Sequence, residues 1–281
     1  MKSAVVDVGG GMRDVYGAGV YEYCLRNKIH FDTALGISAG AMNLLRFLSG
    51  QKGVLYQCYA KYGFDRRYLS FSNFIKNHSY ANIDWMLHSV QGSAGPCPVH
   101  FDRVLKSGTD FEIGATGAFT GRPVYFRADQ MHEDDYWCVA ASAALPVFSR
   151  PYMHDDALYY DGGISSPIPV RRCMHVHGCD KVVLILTRPR DFYRDPEKDR
   201  IMAGLIQNRY PGGARALAHR ALVYNKELDQ AKELEAQGRV LILAPDQIGQ
   251  MSSVSKDAGM VRHLYEKGMR DAAAIPAFLS K

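Results

Sequence analysis

No stretch of the 281-residue chain approaches the roughly 20 consecutive apolar residues of a membrane-spanning helix, so any contact with a membrane is expected from the surface. An apolar leader is also missing. In Met1-Lys2-Ser3-Ala4-Val5-Val6-Asp7 the aspartate interrupts the run before it reaches signal-peptide length, so no secretion signal is expected. Charge of one sign is scarce. The 34 basic residues exceed the 29 acidic ones by five, a surplus compatible with an anionic surface but short of a nucleic-acid binder's footprint. Internal repeats and low-complexity linkers are absent. The 26 glycines and 12 prolines lack a collagen-like period, which removes the fibrous classes. Six cysteines, Cys24, Cys58, Cys97, Cys138, Cys173 and Cys179, are too scattered for a disulfide-stapled miniprotein. They read as reduced thiols, and the expected location is cytoplasmic, with peripheral membrane contact allowed. What is there is ordinary globular composition, 47% hydrophobic and 22% charged, in a chain long enough to bury a core.

The order of elements is informative. Val5-Val6-Asp7-Val8 reads as a buried strand running into Gly9-Gly10-Gly11, and a helix is expected from about Tyr16 to Asn27. Thr33–Ile37 reads as a second strand, broken at Ser38, and Ala41–Leu48 as an apolar helix. This alternation predicts an α/β protein, three layers with a mainly parallel central sheet. Further strands are expected at Glu112–Thr116, Pro123–Phe126, Leu158–Tyr160, Val182–Leu186 and Val240–Ala244, with a small-residue helix over Val139–Leu145. Residues 1–190 are expected to form the catalytic part, with 51–110 as a cap insertion. Residues 191–281 would complete the sheet and add a helical extension, and Pro189–Pro196 is the one candidate hinge.

Three motifs carry chemistry. Gly36-Ile37-Ser38-Ala39-Gly40 matches the G-x-S-x-G elbow, in which small neighbours let a sharp strand-to-helix turn expose a serine hydroxyl at a helix N-terminus. The plainer reading is an N-cap serine in a βα turn. Gly9-Gly10-Gly11-Met12-Arg13 lets successive backbone N–H groups converge on one oxyanion. A dinucleotide-binding turn competes for that stretch, but it expects an acidic residue closing the next strand, where Ile37-Ser38 stands instead. Asp161-Gly162-Gly163 sets a carboxylate on a tight turn, either as a general base or as an ordinary Asx or type I′ turn.

In this order the motifs resemble those of the patatin-like phospholipase family, most closely its compact bacterial members. The clear likeness spans residues 5 to about 187. It includes Ala141-Ser142-Ala143-Ala144-Leu145-Pro146 and the stretch Ile164–Pro169. The resemblance implies a Ser–Asp dyad with no histidine: Ser38 as nucleophile and Asp161 as base. Gly10 and Gly11 would be the oxyanion donors, with the Met12 N–H as a further candidate. Gly9, Arg13, Gly36, Gly40, Gly162 and Gly163 would support the motifs. One position departs: the family's last loop glycine corresponds to Asp14, whose carboxylate would sit near the oxyanion loop, and whose tolerance of positive φ would let the turn survive.

The implied activity is hydrolysis of acyl esters, with phospholipid or lysophospholipid as the favoured substrate. A general carboxylesterase and a catalytically silent lipid-binding protein are the alternatives. No cofactor, metal or nucleic-acid partner is expected. A Ser–His–acid triad would need His175, His177, His219 or His263, none in a recognisable catalytic loop, and each reads as a surface or capping residue. Cys173-Met174-His175-Val176-His177-Gly178-Cys179 suggests zinc by composition, but reads better as a helix C-terminus with Gly178 as its cap. The aromatics from Tyr56 to Phe101 suit either an acyl pocket or plain core packing. Asn82–Leu87 reads as a capped helix start with a buried Trp85. Arg13 would either touch a lipid phosphate or brace the loop. The charges of the helix expected from Ala214 to Gln237 read as a solvated face.

Overall fold

A computed structural model describes residues 1–280. Among the described residues, eight strands form one sheet: β1 Ser3–Asp7, β2 Thr33–Ile37, β3 Asp110–Gly117, β4 Pro123–Arg127, β5 Tyr152–His154, β6 Ala157–Asp161, β7 Lys181–Ile185 and β8 Val240–Leu243. Their order is β5-β6-β3-β2-β1-β7-β8, with β4 on the other flank of β3. The run β3-β2-β1-β7-β8 is parallel, and β4 and β6 are antiparallel to β3.

Helices follow the strands as crossovers. α1 (Val15–Arg26) follows β1 and α2 (Ala39–Leu48) follows β2. Between α2 and β3 lie α3 (Val54–Ala60), α4 (Phe71–Asn77), a π-helical turn (Trp85–Val90) and α5 (Phe101–Lys106). α6 (Trp137–Ser142) precedes β5, and α7 (Val170–His175) precedes β7. α8 (Glu197–Ile206) and α9 (Pro211–Ala236) join β7 to β8. α10 (Ala258–Asp271) and α11 (Ile275–Leu279) come last. No helix among the described residues is long and apolar enough to cross a membrane.

Both faces of the sheet are covered, as the continuous apolar runs of its parallel strands require. Val5, Ala34, Val183 and Ile185 point into a core with Tyr16, Leu45 and Leu264, from α1, α2 and α10. Their neighbours Val6, Leu35, Val182 and Leu184 point the other way, onto Val170, Cys173, Tyr224 and Leu228 of α7 and α9. The fold is therefore α/β in three layers. α10 packs directly on α1: a Cβ at Gly268 would lie 2.0 Å from the Tyr16 carbonyl oxygen, so only glycine allows this approach.

One topological detail positions everything that follows. Along a single flank, β3 pairs first with β2, ending at Ile37↔Gly114, and then with β6, beginning at Asp161↔Ala115. The C-terminal ends of β2 and β6 thus meet head-on at adjacent residues of β3.

Several expectations are corrected. The helix expected over Val139–Leu145 starts earlier, at Trp137, and stops at Ser142. The chain before Pro146 leaves helical geometry, and the Ala144 carbonyl accepts the Asp161 N–H at 2.8 Å instead. The Asn82 side chain does cap the Trp85 N–H at 3.0 Å, but the turn it opens is π-helical and Trp85 is only half-buried under the Arg67 guanidinium. Gly178 follows α7 at positive φ, two residues beyond the Val176 cap. His177 is not a surface residue: its side chain is 7% exposed, with Nδ1 3.1 Å from Asp110 and Nε2 3.0 Å from Glu112. Arg172 grips the same Glu112 through two bonds of 2.6 and 2.9 Å. Burial pushes the Glu112 carboxyl up, but Arg172 and His177 more than offset it and hold it below the ordinary range. This cluster ties the chain around α7 to β3, at the end of the strand away from the β2–β6 junction. The stretch 189–196 is also tied down: the Arg194 N–H donates to Asn225 of α9 at 2.7 Å, and the Arg194 fork holds Asp199.

Candidate active site

Ser38 occupies the turn between β2 and α2 with φ 58° and ψ −125°, a conformation that costs a non-glycine residue on the order of 1–3 kcal/mol. The neighbours explain how the turn is held. A Cβ at Gly36 would lie 2.6 Å from the Ala41 Cα, and one at Gly40 would lie 2.5 Å from the Asp7 carbonyl oxygen. Ser142 of α6 fixes the strained residue from the side. Its hydroxyl accepts the Ser38 N–H at 2.8 Å and donates to the Gly114 carbonyl of β3 at 2.6 Å.

Asp161 ends β6, and because β2 and β6 meet on β3 it lines the same cavity as Ser38, whose hydroxyl is among the groups that favour the ionised carboxylate. It is 5% exposed. Its Oδ1 accepts the Gly163 N–H at 2.8 Å, and its carbonyl accepts the Thr116 hydroxyl at 2.9 Å. Burial raises its pKa above the ordinary carboxylate value, opposed by the positive charge of Arg220, the Ser38 hydroxyl, the Gly163 N–H and Arg194.

Across from Ser38, Gly9, Gly10 and Gly11 all have positive φ, at 66°, 140° and 59°. The Gly9 N–H is engaged by Asp7 Oδ1 at 3.0 Å, whereas the Gly10 and Gly11 N–H groups donate to no atom among the described residues. The Met12 N–H is not available as a further donor, because it is bonded to the Ser253 carbonyl at 2.8 Å. A hydroxyl beside a buried carboxyl, faced by two free N–H groups, is an arrangement able to support nucleophilic attack and to receive an oxyanion.

The Asp14 expectation changes. Asp14 has φ −77°, so its place needs no left-handed residue, and it is fully buried away from the cavity. It faces Asp7, also fully buried. Burial and the charge of Asp7 hold the Asp14 carboxyl well above the ordinary range, while burial lifts Asp7 to about 6 against the Gly9 N–H. Burial and the neighbouring Asp7 thus disfavour the charged form of Asp14, whose carboxyl lies beneath the loop and outside the cavity.

Ser38, Asp161, Gly10 and Gly11 open into one cavity of about 300 Å³. Its apolar wall includes Met42, Leu69, Ile83, Leu145, Phe148 and Val254. Of the aromatics considered for an acyl pocket, Tyr68 and Tyr80 reach it. Tyr59 is buried on Asn43 instead, and Phe101 packs on Tyr136. No histidine among the described residues lines the cavity, and His175, His177, His219 and His263 all lie elsewhere. No cluster able to hold a metal occurs among the described residues. Four arginines, Arg13, Arg188, Arg194 and Arg220, also line the cavity. Sequence reasoning singled out only Arg13 and placed Arg220 on a solvated face. The spacing Leu217, Ala221, Tyr224, Leu228 marks the buried stripe of α9, and Arg220 adjoins it.

Fold and site together define a three-layer α/β protein in which the Ser38 turn and Asp161 open into one cavity. A family model described as patatin-like phospholipase matches residues 8–174, more than half of the sequence, and the chain belongs to that family. A second model, a domain of unknown function (DUF6363), matches residues 210–277. The uncharacterised protein YjjU of Escherichia coli strain K12 is 32% identical over 199 residues, 69% of this chain and 54% of YjjU. The chain thus spans about half the length of the curated relative it matches. Among solved structures, VipD from Legionella pneumophila aligns over 99% of this chain and 67% of its own, at 12% identity and a TM-score of 0.49.

Proposed function

We propose that the protein is a serine hydrolase of lipid acyl esters, acting through Ser38 and Asp161. The observation that carries this reading is that Ser38, on its strained turn, and the buried Asp161 line one cavity in which no histidine is found among the described residues. Ser38 Oγ attacks the ester carbonyl carbon as Asp161 takes its proton. The tetrahedral oxyanion rests on the Gly10 and Gly11 N–H groups, where losing one such donor typically costs roughly 3 kcal/mol. Asp161 returns the proton to the leaving alcohol, and an acyl-serine remains. Water then gives a proton to Asp161 and attacks the acyl carbon. The carboxylic acid departs, and Ser38 regains its proton. The apolar wall suits the acyl chain. α4 springs from the rim of the cavity and exposes Phe71 and Ile75, a surface suited to transient insertion at a lipid interface.

The test is labelling by a fluorophosphonate probe. Wild type is expected to label at Ser38 and turn over monoacyl lipid esters, Ser38→Ala to do neither, and Asp161→Asn to lose at least about 10²-fold in turnover while staying folded. A wild-type protein that neither labels nor hydrolyses any ester ends this reading.

A further inference from the structure

We infer that Arg188, Arg194 and Arg220, together with Arg13, form a subsite for the phosphate headgroup of a single-chain lipid whose ester lies at Ser38. The inference rests on the hydrolase reading for the position of the ester, and on the cavity itself for the anion.

The four guanidiniums share one wall system with Ser38. Two carboxylates face them, Asp161 at the serine and Asp199 behind Arg194, so the pocket keeps a surplus of two positive charges. The arginines are not equally committed. Arg194 spends Nε and Nη2 on Asp199, at 2.6 and 2.7 Å. Arg220 reaches Asp199 only at 4.0 Å, and its buried Nε has no partner. The buried Nε of Arg13 is also without a partner, and neither Arg13 nor Arg188 makes an ion pair among the described residues. Arg188 lies over the Phe192 ring at 4.4 Å, a contact that orients its fork without using its N–H donors.

Burying guanidiniums this close together without a matching count of carboxylates is costly. Burial, with mutual repulsion adding to it, draws Arg13 and Arg220 down to about 10. A purely structural role would pair each guanidinium with a carboxylate, yet Arg13 and Arg188 have no such partner among the described residues and Arg220 shares the carboxylate that Arg194 already holds. A dianion relieves the repulsion and accepts several forked N–H donors at once, which fits a phosphomonoester better than a carboxylate. A quaternary ammonium headgroup meets the wrong charge. A cavity of about 300 Å³ favours one acyl chain over two.

Three of the four arginines lie outside residues 8–174, and Arg220 belongs to the region of unknown function at 210–277. Ser252, Ser253 and Val254 of that region line the same cavity, and the Ser253 carbonyl holds the glycine loop at Met12. The chain beyond residue 174 therefore supplies three of the four arginines of the pocket.

The experiment compares 1-oleoyl-lysophosphatidic acid with 1-oleoylglycerol, which differ only in the phosphate. Wild type is expected to favour the phosphate ester by about tenfold or more in kcat/KM, the size expected of hydrogen bonds to a charged group. Arg188→Gln and Arg220→Gln are each expected to collapse that ratio, with Arg188→Lys keeping part of it. Arg188 is the less buried of the two, so its variant remains informative if Arg220→Gln fails to fold. The Ser38→Ala protein, titrated calorimetrically with both lipids and with inorganic phosphate, gives a readout without catalysis. Tighter binding of the phosphate lipid, lost in Ser38→Ala/Arg188→Gln, supports the subsite even if the hydrolase reading fails. Equal binding of the two lipids overturns it. Binding of inorganic phosphate without discrimination between the lipids also overturns it, since the anion would then be a free ion and not a headgroup.

Discussion

At the scale of single residues, pH is the sharpest probe. In the proposed mechanism Asp161 must be ionised to accept the Ser38 proton, and burial has raised its pKa, so activity should fall on the acid side at a pH above the usual carboxylate midpoint. Arg220 is the leading influence opposing that rise. Arg220→Gln should therefore move the acid limb of kcat/KM to higher pH, and an unmoved limb would show that Arg220 does not govern Asp161. The Asp7–Asp14 pair makes an independent prediction about stability. Asp7 rises from 3.8 to about 6 in the fold and Asp14 rises further above its ordinary value, so the folded chain binds these protons more tightly than the unfolded one. Their stabilising contribution is complete below the unfolded pKa near 4 and is lost as pH climbs through about 6 and beyond. Asp14→Asn supplies a permanent donor to Asp7 and should flatten this decline by on the order of 1–2 kcal/mol between pH 5 and 8, read by urea unfolding. Ser38 and Asp161 were legible in the sequence because small neighbours within two positions mark each turn. Arg188 and Arg194 were not, because nothing beside them in the chain records that they converge on a cavity.

Elements show a similar division. The strands and α1 and α2 could be read from apolar runs and glycine stops, since local sequence decides them. The π-helical turn at Trp85–Val90 and the exposed face of α4 could not. Each depends on what lies opposite: Arg67 over Trp85, and solvent over most of Phe71 and Ile75. For α4 the consequence is measurable. Phe71→Ser/Ile75→Ser should weaken sedimentation with vesicles containing anionic phospholipid several-fold while leaving the thermal midpoint within a degree or two, since both side chains are more than 60% exposed. Unchanged sedimentation would remove α4 as an insertion surface. His177 teaches the complementary lesson. Its spacing to Cys173 suggested a helix end, yet its partners Asp110 and Glu112 lie more than 60 residues away, and only the parallel crossover brings them in.

For the molecule as a whole, the C-terminal third is part of the structural core. α9 covers one face of the sheet, β8 extends its edge beside β7, and α10 covers the other face. A chain cut after residue 190 would expose the apolar partners of Tyr224, Leu228, Val261 and Leu264 on both faces. It should be recovered as an aggregate or be rapidly degraded in limited proteolysis. A stable, monomeric 1–190 fragment would contradict the packing described. Gly268→Val, which sets a branched side chain against the Tyr16 carbonyl, should produce a milder form of the same failure, about 2 kcal/mol or more by denaturant unfolding.

The head-on junction of β2 and β6 along β3 has a dynamic consequence. Serine and carboxyl are not carried by separate loops that can drift apart while the protein stays folded. Both are spliced to the same strand, at Gly114 and Ala115. In hydrogen–deuterium exchange, the amides of β2 and β3 around this splice should be among the last to exchange, opening only with the global transition. The cap segments around α4 should exchange far earlier. Warming would then loosen entry to the pocket well before it disturbs Ser38 and Asp161, so the proposed hydrolysis should survive to the edge of unfolding while its selectivity for the proposed lipid decays first.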